Sequence, residues 1–450
     1  MTSRKFSVEI TKQIPDFVKK INVDGDKSIS IRACIIGSIS QNVTKIDNIL
    51  ESEDVESSIN CLEKLGVKIK KIKSKTYMVY GKGLGSLSAK KNQELNFGNS
   101  GTLARLLIGV LSTTPNIQLK MKGDSSLNKR SMKKLMHEMT KFGAEFFPKN
   151  KFNFPLRMIS SDMPVGIDFK AGVSAQIKSA VILAGLNSYG NTNIIEKKLS
   201  RDHTENILLK SSNVIKLKKG KVRNIAVFGK KYLKGFNIKV PSDPSSAAFF
   251  TALTLLKEKS KIRINNVCLN PKRIGFYKIL KKHGAKINFK NVKKVNNEIV
   301  GDIFVKSSKL KPIKANSEYY VSSTDEYPIL FVIAALIPGV STFKGISDLS
   351  NKESSRAKEM KKILDQIKIK SKTTNNEMKI FGNSNFVNKD FRIQVPNLGD
   401  HRICMSASIL SLLTGVKAKI KNFETVKTSS PSFLDIIKYL GGQFEIKKIL

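Results

Sequence analysis

The strongest constraint on the fold is a pattern that the chain repeats six times. Each copy is a turn of small, polar or charged residues that leads directly into an apolar helix. The six predicted helix starts lie near Lys27, Gly101, Ser174, Ser245, Asp325 and Asp400. In the second copy the apolar residues recur at the spacing of one buried helical face, namely Leu103, Leu106, Leu107, Val110 and Leu111.

A second pattern alternates with the first: an amphipathic helix ends at a glycine and the chain then enters a strand. Glycine is the usual residue after a helix because it adopts the left-handed conformation without strain. Four copies keep this glycine, at Gly66, Gly143, Gly284 and Gly441. A fifth copy near Asp365 has lost it, and a sixth, around Val214 to Lys219, is degenerate. The two patterns together predict a six-unit α/β repeat.

Helix starts of this type are suited to anions. The first N–H groups of a helix have no partner within it, and the helix dipole adds partial positive charge there. Gly98 and Gly101 would allow a ligand to approach the backbone. Arg105 carries a planar guanidinium group that can donate two hydrogen bonds to a phosphate or carboxylate. One such start is more often a plain helix cap, but the repetition of the pattern favours a ligand site.

Composition narrows the class of protein. A chain of 450 residues with 40% hydrophobic residues is expected to form more than one domain with ample core. It has no apolar run suited to a membrane, and Met1 to Ile10 lack an apolar signal core, so we expect a cytoplasmic protein. The four cysteines and four histidines are scattered, which predicts reduced thiols and no metal site.

The formal net charge of +44 permits two interpretations. One is a nucleic-acid-binding protein. The other is a general enrichment in lysine over most of the surface. The lysines form no single block, the sequence has no recognisable nucleic-acid motif and no tryptophan, and we therefore favour the second interpretation.

In combination, the polar turns resemble the successive signatures of one family, the bacterial type of 5-enolpyruvylshikimate-3-phosphate synthase. In the first half these are Lys27-Ser28-x-Ser30-x-Arg32, Gly98-Asn99-Ser100-Gly101-Thr102, Gly123-Asp124-x-Ser126-Leu127-x-Lys129-Arg130, Ser174-Ala175-Gln176-x-Lys178 and Ser200-Arg201-Asp202-His203-Thr204-Glu205. In the second half they are Thr324-Asp325-Glu326, Lys352-Glu353-Ser354-Ser355-Arg356 and Asp400-His401-Arg402. Ser355 stands where the family usually has Asp.

The resemblance implies a two-domain enolpyruvyl transferase fold with three repeated units in each domain and helix N-termini facing the interdomain cleft. The first domain would span residues 21–239. The second would be discontinuous and combine residues 1–20 with 240–450. Neither a cofactor nor a metal is implied, and a monomer is expected.

The implied reaction transfers the enolpyruvyl group of phosphoenolpyruvate to the 5-hydroxyl of shikimate 3-phosphate and releases phosphate. The residues implied to bind shikimate 3-phosphate are Lys27, Ser28, Arg32, Ser174, Ala175, Gln176, Ser200, Asp325 and Lys352. Those implied to bind phosphoenolpyruvate are Lys27, Asn99, Gly101, Arg130, Gln176, Arg356, Arg402 and Lys427. Lys427 is placed by a C-terminal pattern whose register is open by one residue. Because both substrates are anions, a set rich in Lys and Arg fits them.

Three of these residues are implied to be catalytic. Asp325, helped by Lys27, would take the proton of the acceptor hydroxyl, and Glu353 would exchange a proton with the carbon that becomes a methyl group. Taken alone, Asp325 reads as an ordinary helix cap and Glu353 as the partner of Arg356 in a helix-surface salt bridge.

Two other functions stay open at this point. One is the related transfer of enolpyruvyl to UDP-N-acetylglucosamine, although that family carries Lys-Asn in place of Lys27-Ser28. It also usually has a reactive cysteine in the loop after the glycine turn, and the segment from Pro115 to Arg130 has none. The more remote one is binding of nucleic acid by a basic protein.

Overall fold

The computed structural model describes residues 5–211, 213–218, 220, 222–388 and 390–448. Lys219, the last residue of the degenerate glycine pattern, lies outside them, as do residues 1–4 and 449–450 of the predicted second domain. The strands are β1 Phe6–Ile10, β2 Val18–Ile21, β3 Gln41–Asp47, β4 Lys68–Lys73, β5 Thr76–Lys82, β6 Gln93–Asn96, β7 Gln118–Lys122, β8 Glu145–Phe147, β9 Leu156–Ile159, β10 Asp168–Ala171, β11 Asn191–Glu196, β12 Ile215–Lys218, β13 Arg223–Phe228, β14 Asn237–Lys239, β15 Lys261–Cys268, β16 Lys286–Val295, β17 Glu298–Lys306, β18 Lys314–Ala315, β19 Gly339–Lys344, β20 Ser371–Thr373, β21 Glu377–Gly382, β22 Arg392–Val395, β23 Lys417–Ile420 and β24 Glu445–Lys448. The helices are α1 Lys27–Ile39, α2 Glu53–Lys64, α3 Gly101–Ser112, α4 Lys133–Lys141, α5 Ala175–Leu186, α6 His203–Leu208, α7 Pro244–Leu256, α8 Gly275–Lys282, α9 Tyr320–Ser323, α10 Tyr327–Ala335, α11 Arg356–Gln366, α12 His401–Thr414 and α13 Phe433–Tyr439.

The chain divides into two compact units. The first unit is Gly25–Val240 with Lys294–Glu298, and the second unit is Met1–Asp24, Pro241–Lys293 and Ile299–Leu450. Among the described residues the strands form six four-stranded sheets. The first unit holds the sheets ordered β14-β3-β5-β4, β6-β7-β9-β8 and β10-β11-β13-β12; the second unit holds β16-β17-β15-β2, β18-β19-β21-β20 and β22-β23-β1-β24. The predicted six-unit α/β repeat is confirmed.

One edge strand of each sheet pairs in parallel with its neighbour, and a buried helix usually connects the two along the chain, as α3 connects β6 with β7. Two edge strands are exchanged. Strand β2 precedes α1 but pairs with β15 of the second unit, whereas β14 precedes α7 but pairs with β3 of the first unit. The chain therefore passes between the units just after each of these strands.

Helix α3 corrects one sequence-based expectation. The spacing of its leucines predicts a single buried face, but every residue of the helix except Arg105 is buried. The other long apolar helices are buried on all sides as well, because α3 packs against α1 and α5 in the first unit while α7, α10 and α12 pack against one another in the second. None of the described helices combines the length and the apolar character needed to cross a membrane.

The glycines after the amphipathic helices are in the left-handed conformation. Gly66, Gly143, Gly284 and Gly441 have φ angles between 83° and 99°. In the fifth copy, which has no glycine, Lys368 follows α11 with a φ of 57° and donates its N–H to the carbonyl of Asp365. The same helix ending is therefore made by a residue for which the conformation is less favourable.

Five of the six predicted helix starts agree with the structure to within a residue. The start predicted near Asp325 falls later, at Tyr327. Pro328 lies in the first turn of α10, where its missing N–H costs nothing, and the short helix α9 ends just before Asp325. Asp325 consequently lies in the turn between two helices, and Glu326 takes the capping position.

The cysteines give a first testable prediction. All four are buried and none is bonded to another, and burial raises the pKa of the Cys34 and Cys61 thiols to about 12. At pH 8 the folded protein should therefore not react with an aromatic disulfide reagent, whereas all four thiols should react in guanidinium chloride. Rapid modification of one thiol in the native protein would contradict this description of the core.

Candidate active site

The start of α1 holds Lys27 beside a carboxylate of the first unit. Asp26 caps the helix by accepting a hydrogen bond from the Ile29 N–H at 2.9 Å. The Lys27 ammonium lies 2.9 Å from the Asp54 carboxylate, and its side chain is 17% exposed. Ser28 follows it and is half-buried. Asp54 thus fixes the position of Lys27, a contact that the sequence alone did not indicate.

Arg32 lies one turn further along α1 and is buried. Its guanidinium donates to the Thr204 hydroxyl at 2.9 Å, to the Ser179 hydroxyl at 3.2 Å and to the Ser28 carbonyl at 3.0 Å. These partners belong to α6, α5 and α1, so Arg32 connects three helices of the first unit. The guanidinium is consequently fixed by hydroxyl and carbonyl groups.

The glycine turn before α3 orients a second arginine. The Asn99 amide donates to the Asp124 carboxylate at 2.6 Å, and its oxygen accepts from the Arg130 guanidinium at 2.7 Å. Arg130 also donates to the Ser126 hydroxyl at 3.1 Å. The turn and the segment from Gly123 to Arg130 are therefore joined by one hydrogen-bonded chain, as expected for residues that act together.

Arg105 and Gln176 connect the starts of α3 and α5. Arg105 donates to the Gln176 side-chain oxygen at 2.8 Å and to the Gly101 carbonyl at 3.1 Å, and Gln176 donates to the Thr102 hydroxyl at 3.0 Å. A Cβ at Gly101 would lie 2.7 Å from Nη1 of Arg105 and 3.2 Å from Nη1 of Arg130. The absence of a side chain at Gly101 thus keeps both guanidinium groups in place.

The start of α5 carries three of the predicted site residues. Ser174 caps the helix by accepting from the Ile177 N–H at 3.4 Å, and Ser174, Ala175 and Gln176 are all half-buried. Ser200 is different because it is buried and both of its donors face Glu196, with N–H and hydroxyl distances of 2.8 and 2.6 Å. For Ser200 to donate to a phosphate, its hydroxyl would have to turn away from Glu196.

Behind Ser200 lies a buried charge cluster that the sequence analysis missed. The fully buried Lys178 ammonium lies 2.8 Å from both Glu196 and Glu205, and Arg223 approaches Glu196 at 3.7 Å. Burial alone would raise the pKa of the Glu196 carboxyl, but Lys178 and the donors of Ser200 outweigh burial and lower it. Lys178 stands inside the quoted Ser174 motif, and only its position in an otherwise apolar helix signalled a buried role.

In the second unit, Arg356 gathers the predicted catalytic carboxylates. Arg356 opens α11 and is buried, and its guanidinium pairs with Asp400 at 3.0 Å, with Glu353 at 2.5 Å and with Asp325 at 3.6 Å. Burial opposes the charged form, but these three carboxylates outweigh it and raise the pKa of the guanidinium. The two predicted catalytic carboxylates of this unit, Asp325 and Glu353, are therefore brought together around one cation.

Asp400 caps α12 and is fully buried. It accepts from the Arg402 N–H at 2.9 Å and from the Ser354 hydroxyl at 2.8 Å, in addition to its pair with Arg356. Asp400 is a signature residue to which the sequence analysis assigned no role. Its contacts show that it aligns the start of α11 with the start of α12.

Arg402 is the most unusual side chain of this unit. It is only 5% exposed, yet its Nε and Nη1 atoms have no hydrogen-bond partner among the described residues. Over the same residues no carboxylate lies within ion-pair distance of it, and its guanidinium lies 6.0 Å from the centre of the Phe249 ring. A buried guanidinium without a carboxylate is costly to the fold, which favours a role in binding an anion.

The remaining predicted residues are arranged differently. Lys352 pairs with Asp348 at 2.7 Å, so the cationic neighbour of Glu353 is Arg356 and not Lys352. Lys427 is exposed and lies over the Phe6 ring at 5.4 Å. No contact of Lys427 with the Arg356 cluster is found among the described residues.

A second arginine cluster in this unit was also missed. Arg273 is buried and donates to Asp243 at 3.1 Å and to the Ser245 hydroxyl at 3.0 Å, and that hydroxyl donates to Glu326. Asp243 caps α7 and Glu326 takes the capping position of α10, so Arg273 and Ser245 connect the starts of these two helices. Each of the three buried helices of the second unit therefore begins at an acidic cap.

Comparisons with known proteins agree over the whole chain. A family model described as EPSP synthase (3-phosphoshikimate 1-carboxyvinyltransferase) matches residues 11–437. The 3-phosphoshikimate 1-carboxyvinyltransferase of Caldicellulosiruptor saccharolyticus is 39% identical, with 93% of this chain and 95% of that protein covered. The protein of the same name from Zymomonas mobilis is 35% identical, with 97% of each chain covered.

Solved structures extend the agreement to the fold. The EPSP synthase of Acinetobacter baumannii superposes with a TM-score of 0.84 at 32% identity, covering 98% of this chain and 100% of that one. The enolpyruvyl transferase NikO of Streptomyces tendae has a TM-score of 0.76 at 11% identity, with 99% and 100% covered, and this likeness concerns the fold alone. On its full-length sequence similarity and its six repeated units, the chain belongs to the EPSP synthase (3-phosphoshikimate 1-carboxyvinyltransferase) family.

Proposed function

We propose that this protein transfers the enolpyruvyl group of phosphoenolpyruvate to the 5-hydroxyl of shikimate 3-phosphate, a step of aromatic amino-acid biosynthesis. The observation that supports this most strongly is Arg402, a buried guanidinium with no carboxylate partner among the described residues, beside a family match that spans the chain. An anionic substrate would supply the missing charge-assisted hydrogen bonds.

The first unit is proposed to hold shikimate 3-phosphate. Lys27 and Arg32 supply positive charge on α1, and Ser28, Ser174, Ala175, Gln176 and Ser200 supply hydroxyl, amide and backbone groups at the starts of α1 and α5 and beside Glu196. Asp54 and Thr204 keep the two cations in place before the ligand arrives. Such preorganised donors lose little conformational entropy on binding.

Phosphoenolpyruvate is proposed to bind to arginines that the chain already holds in fixed positions. In the first unit these contacts are Asn99, Gly101, Arg130 and Gln176, joined by the hydrogen bonds described above. In the second unit they are Arg356, Arg402 and Lys427, the last of which is exposed and lies over the Phe6 ring. Bidentate guanidinium groups fit both the carboxylate and the phosphate of this substrate.

The proposed proton transfers use two carboxylates that share Arg356. Addition forms a bond from the acceptor oxygen to C2 of phosphoenolpyruvate and delivers a proton to C3; elimination removes a proton from C3 and breaks the C2–O bond to phosphate. Asp325, assisted by Lys27, would accept the hydroxyl proton, and Glu353 would serve C3 in both steps. Asp325 and Glu353 lie 3.6 and 2.5 Å from different nitrogens of Arg356, which holds both carboxylates in fixed positions.

Gly101→Ala should weaken the binding of phosphoenolpyruvate and should weaken the binding of its phosphonate mimic glyphosate more strongly. The new methyl group would displace the ends of Arg105 and Arg130, and one misplaced hydrogen bond to a charged group costs about 1.5–3 kcal/mol, or roughly tenfold or more in affinity. Steady-state kinetics should show a raised KM for phosphoenolpyruvate with little change for shikimate 3-phosphate. Inhibition by glyphosate as strong as in the parent would mean that Gly101 does not line this pocket.

We also propose that the protein is a cytoplasmic monomer, as expected for an enzyme acting on small soluble substrates. Light scattering during size-exclusion chromatography should give the mass of one chain. A mass of two chains at micromolar concentration would contradict the monomer, and recovery in a membrane or secreted fraction would contradict the location.

The direct test of the function is release of phosphate from phosphoenolpyruvate in the presence of either of two acceptors. Shikimate 3-phosphate should support release, and UDP-N-acetylglucosamine should not. Release with the UDP-sugar alone would overturn the assignment in favour of the related transfer. No release with either acceptor, together with salt-dependent binding to mixed-sequence DNA, would instead support the nucleic-acid alternative.

A further inference from the structure

The first unit contains a cavity of about 900 Å³ beside helix α4, outside the clusters described above. It is lined by residues of α4, of β8 and the loop that follows it, and of the segment from β10 into α5. Its volume is in the range of sites that hold small organic molecules. Ser174, the cap of α5, is the one proposed substrate contact in its wall, and the Ser174 hydroxyl already accepts from Ile177.

The interior of the cavity is apolar and rich in aromatic rings. Its larger apolar side chains are Met136, Phe146, Phe152, Phe169, Val173 and Ile177. Phe146 and Phe169 are buried in the unit, whereas Val173 is 48% exposed. An apolar ligand body, most favourably a flat aromatic one, would cover this surface.

The rim of the cavity is positively charged. Five lysines line it against two glutamates, and each glutamate is paired with one of them: Glu138 with Lys141 at 2.8 Å and Glu145 with Lys149 at 3.0 Å. The remaining lysines are Lys133, Lys134 and Lys170, all exposed. None of these three has a carboxylate within ion-pair distance in the described part of the chain. The rim therefore presents net positive charge directly over an apolar interior.

We propose that this cavity is a binding site for an amphipathic organic anion, with an aromatic body against the apolar lining and a carboxylate at Lys134 and Lys170. Lys133 already lies over the Phe152 ring at 5.1 Å. Neither feature would be sufficient alone, since exposed lysines are common on this chain and apolar hollows occur without ligands. In this cavity the apolar interior fits the aromatic end of such a molecule, and the lysine-rich rim fits its carboxylate. The site is distinct from the proposed catalytic residues, and its test uses neither substrate.

The test is calorimetric titration of the whole protein with 2-naphthoate at physiological salt, with 2-naphthamide as the uncharged analogue and decanoate as the alkyl one. We expect saturable binding of one naphthoate per chain, at least about tenfold tighter than either analogue, because the amide lacks the ion pairs and the alkyl chain lacks ring contacts. Equal binding of naphthoate and naphthamide would overturn the role of the rim, and tighter binding of decanoate would overturn the aromatic assignment.

Variants locate the binding. Lys134→Glu with Lys170→Glu should weaken naphthoate at least about tenfold, whereas Lys120→Glu with Lys216→Glu, at exposed positions of β7 and β12, changes the net charge equally and should leave it within about twofold. Gly172→Phe should also abolish binding, since Gly172 lines the cavity and a Cβ there meets no atom within 4 Å, which leaves room for a ring. Circular dichroism checks that each variant folds. Absence of saturable binding, equal weakening in both double variants, or full binding by Gly172→Phe would each overturn the proposal.

Discussion

Glu353→Gln is expected to bind shikimate 3-phosphate normally and to lose turnover by about 10²–10⁴-fold, the usual contribution of an acid–base group. The reaction needs a proton delivered to C3 of phosphoenolpyruvate and later removed from the same carbon, and one carboxylate can do both only if it is ionised between the steps. The contact of Glu353 with the buried Arg356 guanidinium holds its carboxylate in a fixed position. Glutamine preserves the shape of the side chain but cannot exchange the proton.

The contact between Glu353 and Arg356 could also be a purely structural salt bridge, and the same variant tests this alternative. Glu353 and Arg356 are three residues apart, as in an ordinary helix salt bridge. If the role of Glu353 were only structural, the variant would lower the stability of the protein without abolishing proton exchange. In deuterated water the parent should exchange deuterium into the methylene of phosphoenolpyruvate, and Glu353→Gln should not. Glu359→Gln, which breaks the comparable surface pair with Lys362, should behave as the parent. Exchange at the parent's rate in Glu353→Gln would assign the proton transfer to another residue.

Arg402→Met is expected to weaken the binding of phosphoenolpyruvate by at least about a hundredfold. At the same time it should stabilise the folded protein. The first effect follows from the loss of two or more hydrogen bonds to a charged group, worth about 1.5–3 kcal/mol each. The second follows because Arg402 is a buried cation with no carboxylate partner among the described residues, located in the first turn of α12 where the helix dipole disfavours positive charge. Methionine is of similar length and uncharged, so it removes the cost of the buried charge and its repulsion by the helix dipole. We expect the free energy of unfolding to rise by about 1–3 kcal/mol.

Arg356→Met is the matched comparison for stability. Arg356 is as deeply buried, but it neutralises Asp400, Glu353 and Asp325, so its removal should cost about 3–5 kcal/mol by leaving the buried Asp400 without its cation. Urea unfolding of the two variants in the absence of substrates should therefore show shifts of opposite sign. A loss of stability in Arg402→Met equal to that in Arg356→Met would contradict the description of Arg402 as a ligand-binding group.

The helix starts could be predicted from sequence because their signals are local. Asp26, Ser100, Ser174 and Asp400 each accept a hydrogen bond from an N–H within the next three residues, so the cap and its helix are adjacent in the chain. The glycine that follows an amphipathic helix is similarly local. The six-unit repeat follows from these two signals without any knowledge of tertiary contacts.

The partners of the site residues could not be predicted in this way. Asp54 holds Lys27, and Glu196 holds Lys178, through contacts that depend on how separate helices and strands pack. Neither contact leaves a spacing or period in the sequence. The single buried face predicted for α3 failed for a related reason, since the helix is covered from several sides by neighbours that its own periodicity does not report.

Asp325 shows a third kind of difference. The sequence marks a helix start near it, but the proline at position 328 moves the start to Tyr327 and leaves Asp325 in a turn. A residue in a helix cap would have its carboxylate committed to backbone N–H groups. In the turn, the Asp325 carboxylate instead reaches 3.6 Å from Arg356, which is compatible with the catalytic role proposed for it.

The most direct test of the central claim follows one oxygen atom. Phosphoenolpyruvate labelled with ¹⁸O in the bridge between carbon and phosphorus is incubated with shikimate 3-phosphate and the enzyme, and the phosphate released is analysed by ³¹P NMR. Enolpyruvyl transfer breaks the C–O bond, so the account predicts that the released phosphate carries the label and that the organic product does not. Unlabelled phosphate with the label left on the three-carbon fragment would mean attack at phosphorus and would contradict the account.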